Sequence, residues 1–345
     1  MKINGTHHQS ISLTDKGISV LDQRLLPWQI KFVELTTFED CLTAIKQMWV
    51  RGAPLIGAVG AFGLSFGLRE GMDINFAAKV LAESRPTAIN LNWALERLKS
   101  QVVGDWEQAY RLAYEIALED AELNRRIGLH GLELIKAQAK SGSAVQILTH
   151  CNAGWLATMD YGTALAPIYL AHSEGIDLHV WVDETRPRNQ GSLLTAFELM
   201  QQGIPHTVIS DNAGGLLMQR GEVDLCLVGA DRVTQNGDVC NKIGTYLKAL
   251  AAKAHQVPFY VALPYSTLDP ALESGSLIPI EERSPDEVIF QSGLQPNGQS
   301  ATLKTTLSQA YNPAFDITPS DLVTAYITEE GVFDLSGLQS KYRLQ

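Results

Sequence analysis

Beyond residue 142 the chain repeats one pattern. A short apolar run ends at polar residues, and a longer amphipathic stretch follows. The runs cover 145–149, 178–182, 207–210, 225–228 and 259–263, with later candidates at 287–290 and 322–327. The stretches between them include 164–173, 193–202 and 246–255. Runs of this length are too short for helices, and their apolar continuity fits strands buried on both faces. Strand and helix in alternation, joined by short loops, predict a parallel sheet with helices on both faces.

The expected fold class is therefore α/β, with a Rossmann-like sheet domain over 142–345. The segment before it reads differently. Residues 11–35 alternate apolar and polar groups around Pro27 and suit short strands and turns. Thr36 and Thr37, followed by Glu39 and Asp40, form a capping-box pattern for a helix over 38–50. Further helices fit the stretch after Arg51-Gly52-Ala53-Pro54, then 73–83 with Asp73 as cap, 90–99 and 105–139. A small, mainly helical N-terminal domain over 1–141 is expected, and 345 residues suit about two domains of ordinary size. Gly57, Gly60, Gly63 and Gly67 recur at helical spacing, a pattern of close helix packing.

Charge and cysteine usage narrow the function. The net charge is −11 and the pI about 5.2, which argues against a nucleic-acid partner or a membrane-surface binder, both of which show a basic footprint. An anionic small molecule needs only a local cationic patch. Cys41, Cys151, Cys226 and Cys240 form no CxxC pair and read as reduced thiols of a cytoplasmic protein. The N-terminus lacks a signal-peptide core, and the apolar stretch 55–68 falls short of the roughly 20 residues that span a bilayer. No HExxH or Cys/His spacing implies a metal. The turn Asn152-Ala153-Gly154 after the first run is too short for GxGxxG, and there is no P-loop lysine motif, so no nucleotide cofactor is expected.

Polar groups gather at the ends of the runs: Cys151 and Asn152; Asp183 to Pro187 with Gln190; Asp211 and Asn212; Asp231 and Arg232; then Asn241 and Lys242. In an open α/β sheet the carboxyl ends of the strands border the cleft. Cys151 and Asp231 close two runs, and a thiol and a carboxylate facing one cleft make an acid/base pair. Each also has a plain reading: Cys151 as a buried structural thiol, Asp231 as a helix N-cap or the partner of Arg232. Glu184 and Arg186 read as a structural ion pair on a loop, and Cys226 as core. Arg51 opens a turn whose Gly52 and Ala53 present backbone N–H groups at a helix start, a phosphate cradle. Arg85 adds a bidentate clamp and Lys242 a point charge.

Taken in order, 51–54, 84–88, 149–154, 184–187 with Gln190-Gly191, 228–233, 241–246 and 315–319 resemble the signature of the methylthioribose-1-phosphate isomerases, a match running from Leu21 to Gly331. The resemblance implies conversion of 5-methylthioribose 1-phosphate to 5-methylthioribulose 1-phosphate in methionine salvage, by a homodimer without a cofactor. It implies Cys151 and Asp231 as the catalytic pair, and Arg51, Gly52, Ala53, Arg85, Gln190, Asn241 and Lys242 as substrate-binding residues. The same fold family includes ribose-1,5-bisphosphate isomerase and the non-enzymatic regulatory subunits of initiation factor 2B, which are the alternatives. The chain departs from the isomerase pattern at Asn189, where a large apolar residue is usual, and at Phe197, where Trp is.

Overall fold

A computed structural model of the chain describes residues 1–85 and 88–344. Pro86 and Thr87, within the 84–88 motif, lie outside the described residues.

The second half builds the expected sheet. Its strands are β1 (Val145–Thr149), β2 (Leu178–Asp183), β3 (His206–Ile209), β4 (Leu225–Val228), β5 (Phe259–Ala262), β6 (Ala325–Thr328) and β7 (Gly331–Phe333). They lie in the order β7-β6-β5-β4-β1-β2-β3. Every pairing is parallel except the terminal hairpin of β6 with β7. β1 and β4 are neighbours although three crossings of chain separate them. The chain runs one way from β1 to β2 and β3, then returns to place β4 on the other side. The gap beyond the carboxyl ends of β1 and β4 is thus the topological switch point, where open α/β sheets hold ligands.

The first half supplies α1 (Phe38–Lys46), α2 (Ala53–Arg69), α3 (Ile74–Ser84), α4 (Ile89–Gln101) and α5 (Trp106–Gln138), after a three-stranded sheet of Ile11–Leu13, Ile18–Leu21 and Phe32–Leu35. The capping box forms as expected: Thr37 accepts from the Asp40 amide at 3.1 Å, and Asp40 accepts from the Thr37 amide at 2.9 Å. α1 stops at Lys46 rather than Val50, because Met48 turns left-handed (φ +59°) and the Trp49 amide folds back to the Ala44 carbonyl. α2 is almost wholly buried; Phe62, Leu64 and Phe66 are fully covered, at roughly 2 kcal/mol of apolar burial each. Its glycines let α1, α3 and α4 approach: a Cβ on Gly57 would meet the Asn90 carbonyl oxygen at 2.8 Å, and one on Gly63 the Cys41 side chain at 2.9 Å. Among the described residues no helix is long and apolar enough to cross a membrane. α5 joins two cores. Ala109, Leu112, Ala113, Ile116 and Ala117 pack with α2, whereas Ile127, Leu132 and Ile135 pack with the large sheet.

Helices α6 (Ala166–Ser173), α7 (Ala196–Gln201), α8 (Ala213–Gln219) and α9 (Thr245–Ala254) follow the sheet strands as expected. A π-turn over Gly191–Thr195 precedes α7. The run 287–290 does not form a strand. Asp286–Ile289 is a helical turn capped by its preceding proline, and Phe290–Leu294 pairs with Ser300–Lys304 as a hairpin. A further sheet was not foreseen: Leu268–Asp269, Arg232–Thr234, Val239–Lys242 and Phe315–Thr318, side by side in that order. Its central hairpin sets Arg232 against Cys240, and the Asp231 amide bonds the Cys240 carbonyl at 2.9 Å. That hairpin carries Asp231 alongside Asn241 and Lys242.

Candidate active site

At the switch point lies a cleft of about 610 Å³, counting the part open to solvent. All nine residues singled out in the sequence line it: Arg51, Gly52, Ala53, Arg85, Cys151, Gln190, Asp231, Asn241 and Lys242.

Cys151 follows β1 with a left-handed backbone (φ +65°). A non-glycine residue there is uncommon and marks strain. Two threonines hold it: Thr185 accepts from the Cys151 amide at 2.8 Å, and Thr195 donates to its carbonyl at 2.6 Å. The turn aims Sγ into the cleft, where it lies 3.4 Å from Gln190 Oε1. Burial pushes the thiol above its ordinary range; Arg51 and Lys242 pull it back, and Asp231 pushes it further up. Cys41, Cys226 and Cys240 are buried too, and burial drives their thiols up; Cys41 and Cys226 each face one cation, and Cys240 faces Arg232 and Lys242.

Asp231 stands at the head of the Arg232–Thr234 strand and caps no helix. Nor is it the partner of Arg232, which pairs with Asp269 at 3.4 Å. Burial raises its carboxyl pKa above the usual carboxylate range, against the pull of Lys242, Arg51 and Arg85. Lys242 lies over the Phe315 ring, 4.6 Å from its centroid, and burial depresses its ammonium while Cys151 and Asp231 support it. Asn241 bonds Thr245 at 3.0 Å, and Asp316 accepts from the Gly244 and Tyr246 amides, so the turn bearing Lys242 is tied at both ends.

The cationic side is built around the start of α2. Gly52 caps that helix with φ +89°, and a Cβ there would meet Ala157 at 2.4–2.5 Å, so only glycine fits. No side chain caps α2, which leaves its N-terminal end for an anion. Arg51 is buried and grips Asn152, donating from Nη1 to Oδ1 and from Nη2 to the backbone carbonyl at 2.7 Å. Arg85 stands 4.0 Å from Glu281, and its Nε and Nη1 have no hydrogen-bond partner among the described residues. Burial lowers its pKa and Glu281 opposes that.

Two features escaped the sequence reading. Glu198, fully buried on α7, accepts from Asn152 Nδ2 at 2.7 Å, from the Trp155 and Leu156 amides at 2.9 and 3.2 Å, and from the Tyr169 hydroxyl. Burial pushes its carboxyl up to about 7. Its only signal was one carboxylate between Phe197 and Leu199 in an otherwise apolar stretch. The second feature lies behind Cys151. His150 hydrogen-bonds Asp183 through Nδ1 and the Ile243 carbonyl through Nε2, both at 2.8 Å. His150, Asp183 and Asp211 are close enough to share a cation. The Lys248 ammonium fills that role, 3.1 Å from Asp183 and bonded to the Asp211 carbonyl, and Asp211 accepts from the Thr185 and Arg186 amides. Lys248 thus stands where a cation would sit, and the group does not fit a resident metal, although Asp183 Oδ1 has no hydrogen-bond partner among the described residues. Arg186 forms no loop ion pair with Glu184; it donates to the Pro187 and Val288 carbonyls and ties the loop to the 286–289 turn. Asn189 sits left-handed (φ +56°), a conformation asparagine tolerates well, and Phe197 is buried.

The chain belongs to the initiation factor 2 subunit family, whose model matches residues 50–335. Within that fold it is similar to the methylthioribose-1-phosphate isomerase of Sinorhizobium medicae, 53% identical over 352 residues, with 97% of each chain covered. The 5-methylthioribose 1-phosphate isomerase of Pyrococcus horikoshii superposes with a TM-score of 0.82 at 37% identity, covering all of both chains. A structure described as translation initiation factor eIF-2B, subunit delta, from A. fulgidus superposes with a TM-score of 0.80 at 39% identity, covering 98% of this chain and all of that one.

Proposed function

We propose that the chain is an aldose–ketose isomerase that converts 5-methylthioribose 1-phosphate to 5-methylthioribulose 1-phosphate in methionine salvage. The observation that carries this reading is the meeting, in one buried cleft, of Cys151 and Asp231 with the cations Arg51, Arg85 and Lys242. The likeness to methylthioribose-1-phosphate isomerases over nearly the full length supports it. The cations and the start of α2 fit a phosphate.

The substrate carries phosphate on its anomeric oxygen, so its ring cannot open to a free aldehyde while the phosphate stays. In this reading Asp231 donates its proton to the ring oxygen as the bond from that oxygen to C1 breaks. Burial, which raises the Asp231 pKa, favours the protonated form that this step needs. Cys151, as thiolate, takes the proton from C2, leaving an enol phosphate between C1 and C2. The thiol returns the proton to C1 while the C2 hydroxyl gives its own to Asp231, so the carboxyl regains what it lost and C2 becomes the ketone. Arg51 and Lys242 are the charges that hold the thiolate against burial. Burial of Cys151 also favours a second route, in which hydride passes from C2 to C1 and the thiol stays protonated. Deuterium at C1 of product formed in D₂O identifies the proton route.

The reaction is an oxidation and a reduction within one molecule, so no external carrier enters this reading. A cytoplasmic homodimer, and a division into domains at 141/142, belong to the same proposal. The deciding experiment is turnover of methylthioribose 1-phosphate beside ribose 1,5-bisphosphate. Turnover of the first supports the assignment. Turnover of the second alone makes the chain a bisphosphate isomerase, and turnover of neither favours a regulatory subunit.

A further inference from the structure

Glu198 is completely buried, yet it makes no ion pair among the described residues. Four donors converge on it. Oε1 takes Asn152 Nδ2 and the Leu156 amide; Oε2 takes the Trp155 amide and the Tyr169 hydroxyl. The backbone makes room for it: a Cβ on Gly154 would stand 1.8 Å from Glu198 Oε2. The Asn152 amide that meets Glu198 through its NH₂ meets Arg51 through its carbonyl oxygen. Asn152 is thus a dipole between a buried carboxyl group and a buried cation.

We propose that Glu198 is a positioning residue for substrate binding, which through Asn152 fixes the direction in which the Arg51 guanidinium is presented to the phosphate of the ligand. The geometry leaves one arrangement. Arg51 donates and cannot accept, so the oxygen of Asn152 faces Arg51 and its NH₂ faces Glu198. That oxygen and the Asn152 backbone carbonyl then hold the two terminal nitrogens of one guanidinium. The guanidinium is gripped along one edge, and its remaining donors are left for the cleft. Thr195 completes the lock, accepting from Asn152 Nδ2 at 3.1 Å while it donates to the Cys151 carbonyl. Glutamine cannot replace Glu198. Each carboxylate oxygen receives a backbone N–H, so whichever way the new amide turned, its NH₂ would oppose one of them. If Asn152 turned over in response, its NH₂ would face Arg51, donor against donor.

This inference rests on the reading of Arg51 as a phosphate-binding group. The test is a double-mutant cycle of Glu198→Gln with Arg51→Ala at pH 8. It measures KM and kcat for methylthioribose 1-phosphate and, separately, the affinity for inorganic phosphate by calorimetry. In the native background Glu198→Gln should raise KM and weaken phosphate binding about 10-fold, with kcat changed by less than about 3-fold, the signature of a lost binding interaction. In the Arg51→Ala background it should change neither. The same factor in both backgrounds, or a fall in kcat with KM unchanged, overturns the proposal. If Glu198→Gln does not melt cooperatively, Asn152→Ala goes through the same cycle: it removes the link itself and must give the same Arg51-dependent rise. Phosphate affinity needs no turnover. A chain that binds phosphate but does not isomerise the sugar would therefore fail the functional assignment while still deciding the role of Glu198.

Discussion

Two groups of buried charge lie back to back at the ends of the central strands, and they are built on opposite rules. Behind β1, His150, Asp183, Lys248 and Asp211 answer one another, and the charges meet at hydrogen-bond distance. In front of it, Arg51, Arg85 and Lys242 face Asp231, with Glu281 4.0 Å from Arg85, and two of the donors on Arg85 have no hydrogen-bond partner among the described residues. Burying a charge without its partner is costly. A matched group serves as scaffold; a group with surplus positive charge is completed by something the fold does not contain. The contrast supports the proposed reading of the front group as the ligand-binding one, and its surplus of cations suits an anionic ligand.

The comparison breaks if the rear group proves dispensable. Lys248→Met leaves Asp183 buried beside an apolar chain and should destabilise the fold by about 3–5 kcal/mol, the cost of orphaning a buried charge. A thermal or urea midpoint close to that of the native chain would show that the rear charges are not matched as described. The front group should behave the other way. Cys151→Ser and Asp231→Asn should each lower kcat by about 10²-fold or more with the melting temperature nearly unchanged. The pH profiles of the two variants sharpen the roles. Asp231 acts in its acid form, so the residual rate of Cys151→Ser should only fall as pH rises through the raised Asp231 pKa. Cys151 acts as base on the proton route, so the residual rate of Asp231→Asn should only climb as its thiol ionises. A bell-shaped profile that survives in both variants would remove both groups from the chemistry. The smallest effect is expected at the clamp. Arg85→Met should raise KM by about 10-fold, the scale of one charge-assisted contact, and should stabilise rather than weaken the empty protein, because it removes a buried cation with two unmet donors. Lower stability with KM unchanged would place Arg85 in the scaffold.

How much of this the sequence shows depends on how local the signal is. Strands 145–149 and 225–228 are legible to the residue because the second is apolar throughout and the first is apolar except for Gln146 and Thr149, the pattern of strands covered on both faces. Cys151 and Asp231 follow from where those runs stop. The small sheet is not legible: Val239–Lys242 pairs with Phe315–Thr318 across some seventy residues, and neither segment carries a strong apolar pattern. The run 287–290 misleads because Val288 and Ile289 suit a strand, but Pro285 starts a helical turn first. Glu198 is hidden for a different reason. A carboxylate on a helix reads as solvent-facing, and only the backbone amides of a turn some forty residues earlier show that it faces inward.

The long helix α5 has a consequence for the order of synthesis. At 33 residues it is about 50 Å long, and its second half carries Ile127, Leu132 and Ile135, whose cover includes Ile327 on β6. The chain that leaves the ribosome can cover part of this stripe with α6, but the part under Ile327 stays open until about 190 further residues have been made, on the order of 10–40 s at ordinary rates of translation. For that interval the nascent protein is a client for any chaperone that binds exposed apolar helices. Complete cover of the stripe then waits for the carboxyl-terminal strands, after α6 has closed the rest.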